Sequence, residues 1–312
     1  MLHAARMDAD TGYDTVRRFL VDEQPVRGHW VRLEEAWRAL RANGEYPPAV
    51  RTLLGEAVAA SVLLAATLKF RGRLTLQMQG HGAVSLLVAQ CTHEFGVRAV
   101  AHYDDALAAA IDAERSAGET FRALVGEGGR FTVTIEADER NLRYQGIVPL
   151  AGDSLAQSLE AYFSASEQLP TCVQLAADEA RCAGLLVQKL PQSEASAGVE
   201  ALWQSVLRGM QRLAPEALLE TGVEAVLGAV LPEHDVRLFG GSTVVFECRC
   251  GEGRVTSLLR ALGADEVREI LAEEGAVTVT CEFCHRPYRF DAQAVEALFT
   301  DSGAADISPL IH

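Results

Sequence analysis

The sequence Cys248-Arg249-Cys250, followed after thirty residues by Cys281-Glu282-Phe283-Cys284, carries four of the seven cysteines in two close pairs. Tetrahedral zinc bound by four thiolates has Zn–S bonds of about 2.3 Å, which places the sulfurs roughly 3.8 Å apart. In an extended segment, residues i and i+2 point to one side, as Cys248 and Cys250 would. A knuckle-like turn brings residues i and i+3 together, as Cys281 and Cys284 would. The spacing therefore predicts that these four cysteines are the ligands of one zinc ion per chain.

Three alternatives to a zinc site fit the two pairs less well. Buried thiols would need no metal. A structural disulfide is disfavoured because the chain shows no export signal, and an iron–sulfur cluster is disfavoured because the spacing does not match the ferredoxin patterns. The spacing alone leaves open whether the metal site is purely structural or acts as a redox switch, since metal-bound thiolates are the form that oxidants attack. Residues 248–300 are too few for a large core, so loss of the metal is expected to unfold them.

Length and composition bound the class of protein. A chain of 312 residues predicts two domains, or one domain with an appendage. The net charge of −15 argues against nucleic acid as the main partner, because phosphate binding needs a basic surface. Residues Met1–Asp10 lack a hydrophobic signal core, and the longest apolar run, Val58–Leu68, is about half of what a membrane span requires. We therefore expect a cytoplasmic protein that does not bind membranes.

The pattern of apolar residues predicts an α+β core domain over residues 1–192. Alternation predicts strands at 14–21, 26–32, 74–78, 84–91, 97–103, 130–137, 142–149, 171–175 and 182–190. Helical periodicity predicts helices at 33–42, 49–69 and 155–165, the last one capped by Ser154. The polar stretch Pro191–Ala197 marks the end of this domain.

The rest of the chain is expected to form a helical linker, residues 193–240, and a small C-terminal four-cysteine zinc domain, residues 241–312. Val199–Leu213 and Pro215–Val230 are amphipathic and are each predicted to be one helix. Such helices either form an ordinary core with the sheet or hold apolar surface ready for exposure, and periodicity does not separate these two interpretations.

The predicted core domain offers no convincing catalytic group. Cys91 and His93 lie two residues apart, but a cysteine at a strand end and a histidine in a turn are more often structural than a nucleophile and its base. Cys172 and Cys182 could meet across a hairpin, although buried thiols are the simpler interpretation. The sequence contains no phosphate loop, no Gly-x-Ser-x-Gly and no His-Glu-x-x-His. These features favour a binding or interaction protein over an enzyme.

Several short motifs outside the cysteine pairs carry a family resemblance. They are Arg27-Gly28, Trp30-Val31, Tyr144-Gln145-Gly146-Ile147-Val148-Pro149-Leu150, Gly152-Asp153, Tyr162-Phe163, Ser166-Glu167-Gln168-Leu169-Pro170 and Leu262-Gly263-Ala264-Asp265-Glu266-Val267. Together with the C-x-C and C-x-x-C pairs, they resemble the redox-regulated 33-kDa heat-shock chaperone family of bacteria. The similarity runs from about residue 14 to residue 299.

The resemblance implies an ATP-independent holdase that is inactive while reduced and zinc-bound. It implies that oxidation pairs Cys248 with Cys250 and Cys281 with Cys284, that zinc leaves, and that the zinc domain and linker helices loosen. Apolar surface would then capture unfolding client proteins, and the oxidised protein would be a homodimer. A static zinc-stabilised adaptor, or an enzyme of the N-terminal domain with a structural zinc, remain the alternatives.

One position departs from the family pattern. His285 stands where a glycine commonly follows the last ligand. We expect the knuckle to require a positive φ at His285, which histidine tolerates less well than glycine.

The four-thiol pattern generates a first prediction. The reduced, purified chain should contain one zinc per chain, because four clustered thiolates bind this ion strongly. Elemental analysis by plasma mass spectrometry measures the ratio. A preparation made under reducing conditions that contains no zinc would refute the assignment.

Overall fold

The computed structural model describes residues 13–111, 116–137, 142–150, 152–191 and 197–300. The chain divides into two compact units, residues 1–247 and residues 248–312. The first is called the N-terminal unit below and the second the C-terminal unit.

Fourteen strands are present in the described part of the chain. Their bounds are β1 Thr15–Val21, β2 Val26–Leu33, β3 Gly72–Gln79, β4 Val84–Thr92, β5 Gly96–Tyr103, β6 Arg130–Ala137, β7 Leu142–Pro149, β8 Thr171–Ala177, β9 Cys182–Lys189, β10 Val236–Leu238, β11 Ser242–Thr243, β12 Val245–Phe246, β13 Val277–Thr280 and β14 Pro287–Phe290.

Eleven helices accompany these strands in the same described ranges. They are α1 Glu35–Arg41, α2 Pro48–Thr67, α3 Asp105–Ala109, α4 Ala117–Val125, α5 Leu155–Ser166, α6 Ala197–Arg212, α7 Pro215–Glu220, α8 Val223–Val230, α9 Glu252–Leu262, α10 Ala264–Glu274 and α11 Ala292–Thr300. The mixture confirms the predicted α+β class, and the side chain of Ser154 caps α5 as expected by accepting from the amide of Gln157.

Two sheets form the N-terminal unit. The first has the order β10-β1-β2-β9-β8, with β11 also paired to β1, and the second has the order β12-β5-β4-β3-β6-β7. All their pairings are antiparallel except that between β12 and β5. Helix α2 contacts strands of both sheets, so the apolar residues of its whole circumference are covered.

Helix α2 also explains the apolar run near residue 60. The helix is 20 residues long and, by length and composition, apolar enough to cross a membrane. The sequence analysis considered only the run Val58–Leu68, which is too short for a membrane span. Most of the helix is nevertheless buried in the protein, with Leu54, Val58 and Leu63 almost fully covered. A core helix between two sheets passes the same compositional test as a membrane span, because both environments exclude water.

A second apolar core lies on the other face of the first sheet, under helices α6, α7 and α8. Side chains of the sheet, including Phe19, Trp30 and Val187, pack there with Val206 and Leu227 of the helices. Fully burying one large apolar side chain contributes roughly 1.5–3 kcal/mol. These helices therefore hide a substantial apolar sheet face.

The single helix predicted at Pro215–Val230 is wrong, because the structure has two helices separated at Thr221 and Gly222. Thr221 is extended, with φ −98° and ψ 156°. A β-branched residue followed by glycine weakens a helix locally. The carbonyl of Thr221 then accepts a hydrogen bond from the guanidinium of Arg32 at 2.8 Å instead of continuing a helix.

The connection from α8 to the first cysteine pair belongs to the N-terminal unit. Strands β10 and β11 pair with β1, and β12 pairs with β5. Residues 241–247 thus fall outside the C-terminal unit, although the sequence analysis placed them in the zinc domain. The boundary at residues 192/193 lies outside the described residues, and the linker role of residues 193–240 stays a prediction.

The C-terminal unit has a small core of its own. The β13–β14 hairpin and helices α9, α10 and α11 bury eight apolar or aromatic side chains: Val255, Leu259, Val267, Val277, Tyr288, Phe290, Val295 and Leu298. Gly263 and Gly275 end helices α9 and α10, with φ of 105° and 73°, and Asp291 caps α11 through the amide of Ala294. So small a core is marginal without a cross-link or a metal.

Close helix packing over the sheet generates the second prediction. A Cβ at Gly209 of α6 would lie 2.4 Å from the carbonyl oxygen of Val230 in α8, whereas a Cβ at Gly228 of α8 would meet nothing within 4 Å. Gly209→Ala should therefore destabilise the N-terminal unit by about 1–3 kcal/mol, as overpacking does. The matched control Gly228→Ala should be neutral or slightly stabilising. Urea unfolding midpoints measure both, and equal midpoints for the two variants would contradict the packing argument.

Candidate metal centre

The second cysteine pair lies in a turn, as its spacing predicts, whereas the first pair lies outside the described strands. Cys248 and Cys250 lie in an irregular segment that ends at Gly251, whose backbone is extended, before α9 begins. Cys281 and Cys284 lie in the turn between β13 and β14, where the pairing of Thr280 with Pro287 closes the hairpin. The pleated hairpin and the start of α9 thus bring the pairs together from opposite ends of a thirty-residue segment.

The turn is a knuckle closed by backbone hydrogen bonds. The amide of Cys281 donates to the carbonyl of Arg286 at 3.0 Å, and the amide of His285 donates to the carbonyl of Cys281 at 2.8 Å. His285 adopts φ of 50°, which confirms the expected left-handed conformation at this position. The knuckle therefore forms without glycine, with a histidine in a backbone region that side chains rarely adopt.

The four sulfurs form one cluster. All four Sγ atoms lie within 4.8 Å of one another. The Sγ atoms of Cys248 and Cys281 are 3.6 Å apart, and those of Cys250 and Cys284 are 3.3 Å apart. These separations approach the roughly 3.8 Å between sulfurs around tetrahedral zinc, so the residues fit a four-thiolate metal site.

Three of the sulfurs also accept hydrogen bonds from groups other than thiols. The amide of Cys250 donates to Cys248, and the amide of Arg286 donates to Cys284. The hydroxyl of Tyr288 donates to Sγ of Cys250 at 3.1 Å. Donors of this kind stabilise thiolates rather than thiols, which is the form that binds a metal.

The environment shifts the pKa values of Cys248, Cys250 and Cys284 in different directions. Partial burial raises the pKa of the Cys250 thiol, but hydrogen bonds from Tyr288 and from the neighbouring thiols outweigh burial and lower this pKa to about 7. Burial and the neighbouring thiols raise the pKa of Cys284 to about 12, and burial raises the pKa of Cys248. A metal cation bound at the cluster would take the place of the protons on its thiols.

An arginine packs on the aromatic ring beside the cluster. The guanidinium of Arg286 lies over the ring of Tyr288, 5.6 Å from the ring centroid. The sequence analysis did not find Tyr288. Only its place in the sequence could have indicated this residue. A strand that follows a cysteine knuckle runs back past the metal ligands, so its side chains can contact them.

The other three cysteines are placed as structural thiols. The thiol of Cys91 is buried and directed to the carbonyl of Thr92, while Nδ1 of His93 accepts from the amide of Gly72. Burial raises the pKa of Cys91, which keeps it a protonated thiol. The structural interpretation of this cysteine therefore fits the geometry better than a nucleophile–base pair does.

Cys172 and Cys182 do not face each other across the β8–β9 hairpin. The register places Cys172 opposite Val187 and Cys182 opposite Ala177. Burial, together with the nearby carboxylate of Glu160, raises the pKa of Cys172 to about 12. Burial also raises the pKa of Cys182. Both residues therefore remain thiols.

Comparison with known proteins gives the family. The family model described as Hsp33 protein matches residues 14–291. The chain belongs to the Hsp33 family. The protein named 33 kDa chaperonin of Chromobacterium violaceum is 42% identical over 92% of this chain and 94% of its own length, and the one of Nitrosococcus oceani is 39% identical over 96% and 99%.

A solved structure supports the fold of this Hsp33 family member. The crystal structure of the 33 kDa chaperonin (heat shock protein 33 homolog) of Thermotoga maritima matches with a TM-score of 0.75, covering 92% of this chain and 98% of that chain. The two sequences are only 21% identical, so the likeness concerns the fold.

The placement of the seven cysteines generates the third prediction. Replacing Cys91, Cys172 and Cys182 together by alanine should leave the zinc content and any response to oxidant unchanged, because their raised pKa values keep these thiols poor targets for oxidants. Zinc analysis and thiol counting before and after peroxide measure this. Cys284→Ser, which removes one sulfur of the cluster, is the control that should lower the zinc content. Loss of the response in the triple variant would contradict the assignment.

Proposed function

We propose that this chain is a redox-regulated, ATP-independent molecular chaperone that holds unfolding proteins under oxidative stress. One observation carries the proposal: four sulfurs converge within 4.8 Å in a unit whose own apolar core is small. Membership of the Hsp33 family, whose curated relatives are named 33 kDa chaperonin, supports it. The proposed activity is binding, not catalysis.

In the reduced state, Cys248, Cys250, Cys281 and Cys284 are proposed to bind one zinc ion. The donor set supports zinc, because four thiolates in a tetrahedral cluster suit this ion. The bound cation would cross-link two distant parts of the C-terminal unit and offset the charge of the four sulfurs. With the ion bound, these cysteines would keep the two ends of a thirty-residue segment together, which would let a small core stay folded.

Oxidation is the proposed trigger. Two thiolates, two protons and one molecule of hydrogen peroxide give one disulfide and two molecules of water, so two peroxides convert all four cysteines. The proposed disulfides are Cys248–Cys250 and Cys281–Cys284, the pairs that are neighbours in sequence. In the reduced cluster the short contacts are instead those of Cys248 with Cys281 and of Cys250 with Cys284. Peptide mapping of the oxidised chain distinguishes the two pairings.

The disulfide-bonded sulfurs would no longer be anionic ligands, so the C-terminal unit would lose its cross-link. The connection back to α8 consists of strands β10, β11 and β12, which are only two or three residues long. Strands this short contribute few ladder hydrogen bonds. We propose that loosening passes through them to the helices of residues 193–240, which serve as the linker.

The apolar face under those helices is the proposed source of client-binding surface. Helices α6–α8 cover Phe19, Val21, Trp30 and Leu185 of the first sheet. If they loosen, an apolar patch is presented to solvent, and such patches bind other apolar chains. Unfolded or partly unfolded proteins would be the clients, and two oxidised chains are proposed to associate as a homodimer.

Location and partners follow from charge and burial. The net charge of −15 disfavours nucleic acid as a partner. The one described helix apolar enough for a membrane, α2, is mostly buried. We propose a cytoplasmic protein that acts on other proteins. The alternatives, a static zinc adaptor and an enzyme with a structural zinc, have no observation in their favour.

The trigger generates the fourth prediction. Hydrogen peroxide with mild heating should release zinc and switch on suppression of client aggregation, because disulfides remove the metal ligands. A chelating dye measures the release of zinc, and light scattering measures the aggregation of a heat-unfolded client protein. A sample returned to dithiothreitol with added zinc is the control and should lose activity. Unaltered zinc content after oxidation would favour the static adaptor, and unaltered scattering would refute the switch.

A further inference from the structure

Tyr288 touches the cysteine cluster without being one of its ligands. Its hydroxyl donates to Sγ of Cys250 at 3.1 Å. A phenolic hydroxyl can donate only one hydrogen bond, and here the sulfur of Cys250 accepts it.

The position of this hydroxyl is fixed by the fold. Tyr288 lies in β14 opposite Val279 of β13, and its ring is buried in the core of the C-terminal unit. The guanidinium of Arg286 packs over the ring, 5.6 Å from its centroid. Strand pairing and ring packing thus aim the hydroxyl at the sulfur, as expected of a preorganised outer partner of a metal ligand.

The two backbone donors to the cluster differ from Tyr288 in one respect. The amides that donate to Cys248 and Cys284 come with the shape of the backbone, whatever the side chains are. The donor to Cys250 exists only because residue 288 is a tyrosine. A phenylalanine would fill the same apolar space, so core packing alone does not require the hydroxyl.

We propose that Tyr288 is a positioning residue of the metal centre, whose hydrogen bond to Cys250 makes the cluster hold its metal more tightly. The proposal rests on the function proposed above, since it needs a metal-bound cluster. Four thiolates around a divalent cation carry a formal charge of minus two. A donor aimed at one sulfur offsets part of that charge and fixes the direction of the sulfur lone pairs.

The test compares Tyr288→Phe with Tyr103→Phe in the full chain. Tyr103 lies in the N-terminal unit, far in sequence from the four clustered cysteines. Its hydroxyl donates to the carbonyl of Glu45 at 3.1 Å, so Tyr103→Phe also removes one hydroxyl hydrogen bond. Zinc-loaded, reduced proteins are titrated with a chelating dye in the absence of oxidant. Tyr288→Phe should bind zinc roughly tenfold more weakly than the unaltered chain, at the lower end of the effect of outer metal partners. Tyr103→Phe should match the unaltered chain.

A cobalt-substituted sample gives a second readout that reports on the sulfur itself. Without the hydroxyl proton, the electrons of Cys250 are less strongly held, so the thiolate-to-cobalt charge-transfer band should move to lower energy in Tyr288→Phe. The band arises only from chains that hold the metal, so partial unfolding of the variant does not mask it.

The outcomes separate this inference from the function on which it rests. Equal zinc affinity and an unshifted cobalt band in Tyr288→Phe would overturn the role of Tyr288 and leave the chaperone proposal standing. A cobalt band that shifts equally in Tyr103→Phe would also overturn it. If the unaltered reduced chain binds no zinc, the proposed function fails and this inference fails with it.

Discussion

Four sulfur atoms lie within 4.8 Å of one another near the end of this chain, and that closeness is the constraint on which its C-terminal unit depends. Thiolates at this spacing repel each other unless protons or a cation lie between them. Eight buried apolar and aromatic side chains are a small core for the residues around them. The order of the unit is therefore tied to the chemical state of its sulfurs.

The N-terminal unit is held together in a different way. Helix α2 is covered by strands of both sheets, and a second apolar core lies beneath α6, α7 and α8. Burial of this kind is not expected to respond to oxidants, because the enclosed thiols of Cys91 and Cys182 are protonated. A protein built from one redox-sensitive unit and one insensitive unit can lose order in part and keep the remainder folded.

The helices over the first sheet illustrate how tertiary contacts override local pattern. Apolar periodicity continues through Pro215–Val230, so sequence alone predicts one helix. The structure breaks it at Thr221, whose carbonyl accepts from the buried guanidinium of Arg32, 189 residues earlier in the chain. Likewise, β10, β11 and β12 are too short to show an alternating pattern, and their pairing with β1 and β5 decides that residues 241–247 belong to the N-terminal unit.

The sequence by itself determined the α+β class, most strand and helix positions, the cysteines that could share a metal, and the positive φ of His285. The first three follow from local spacing and periodicity, and the last was inferred from the glycine that the family pattern has at this position. Only the tertiary structure decided that four sulfurs meet, that Cys172 and Cys182 do not, and that Tyr288 donates to Cys250. These contacts depend on strand register and on packing between segments distant in sequence, and no local pattern encodes either.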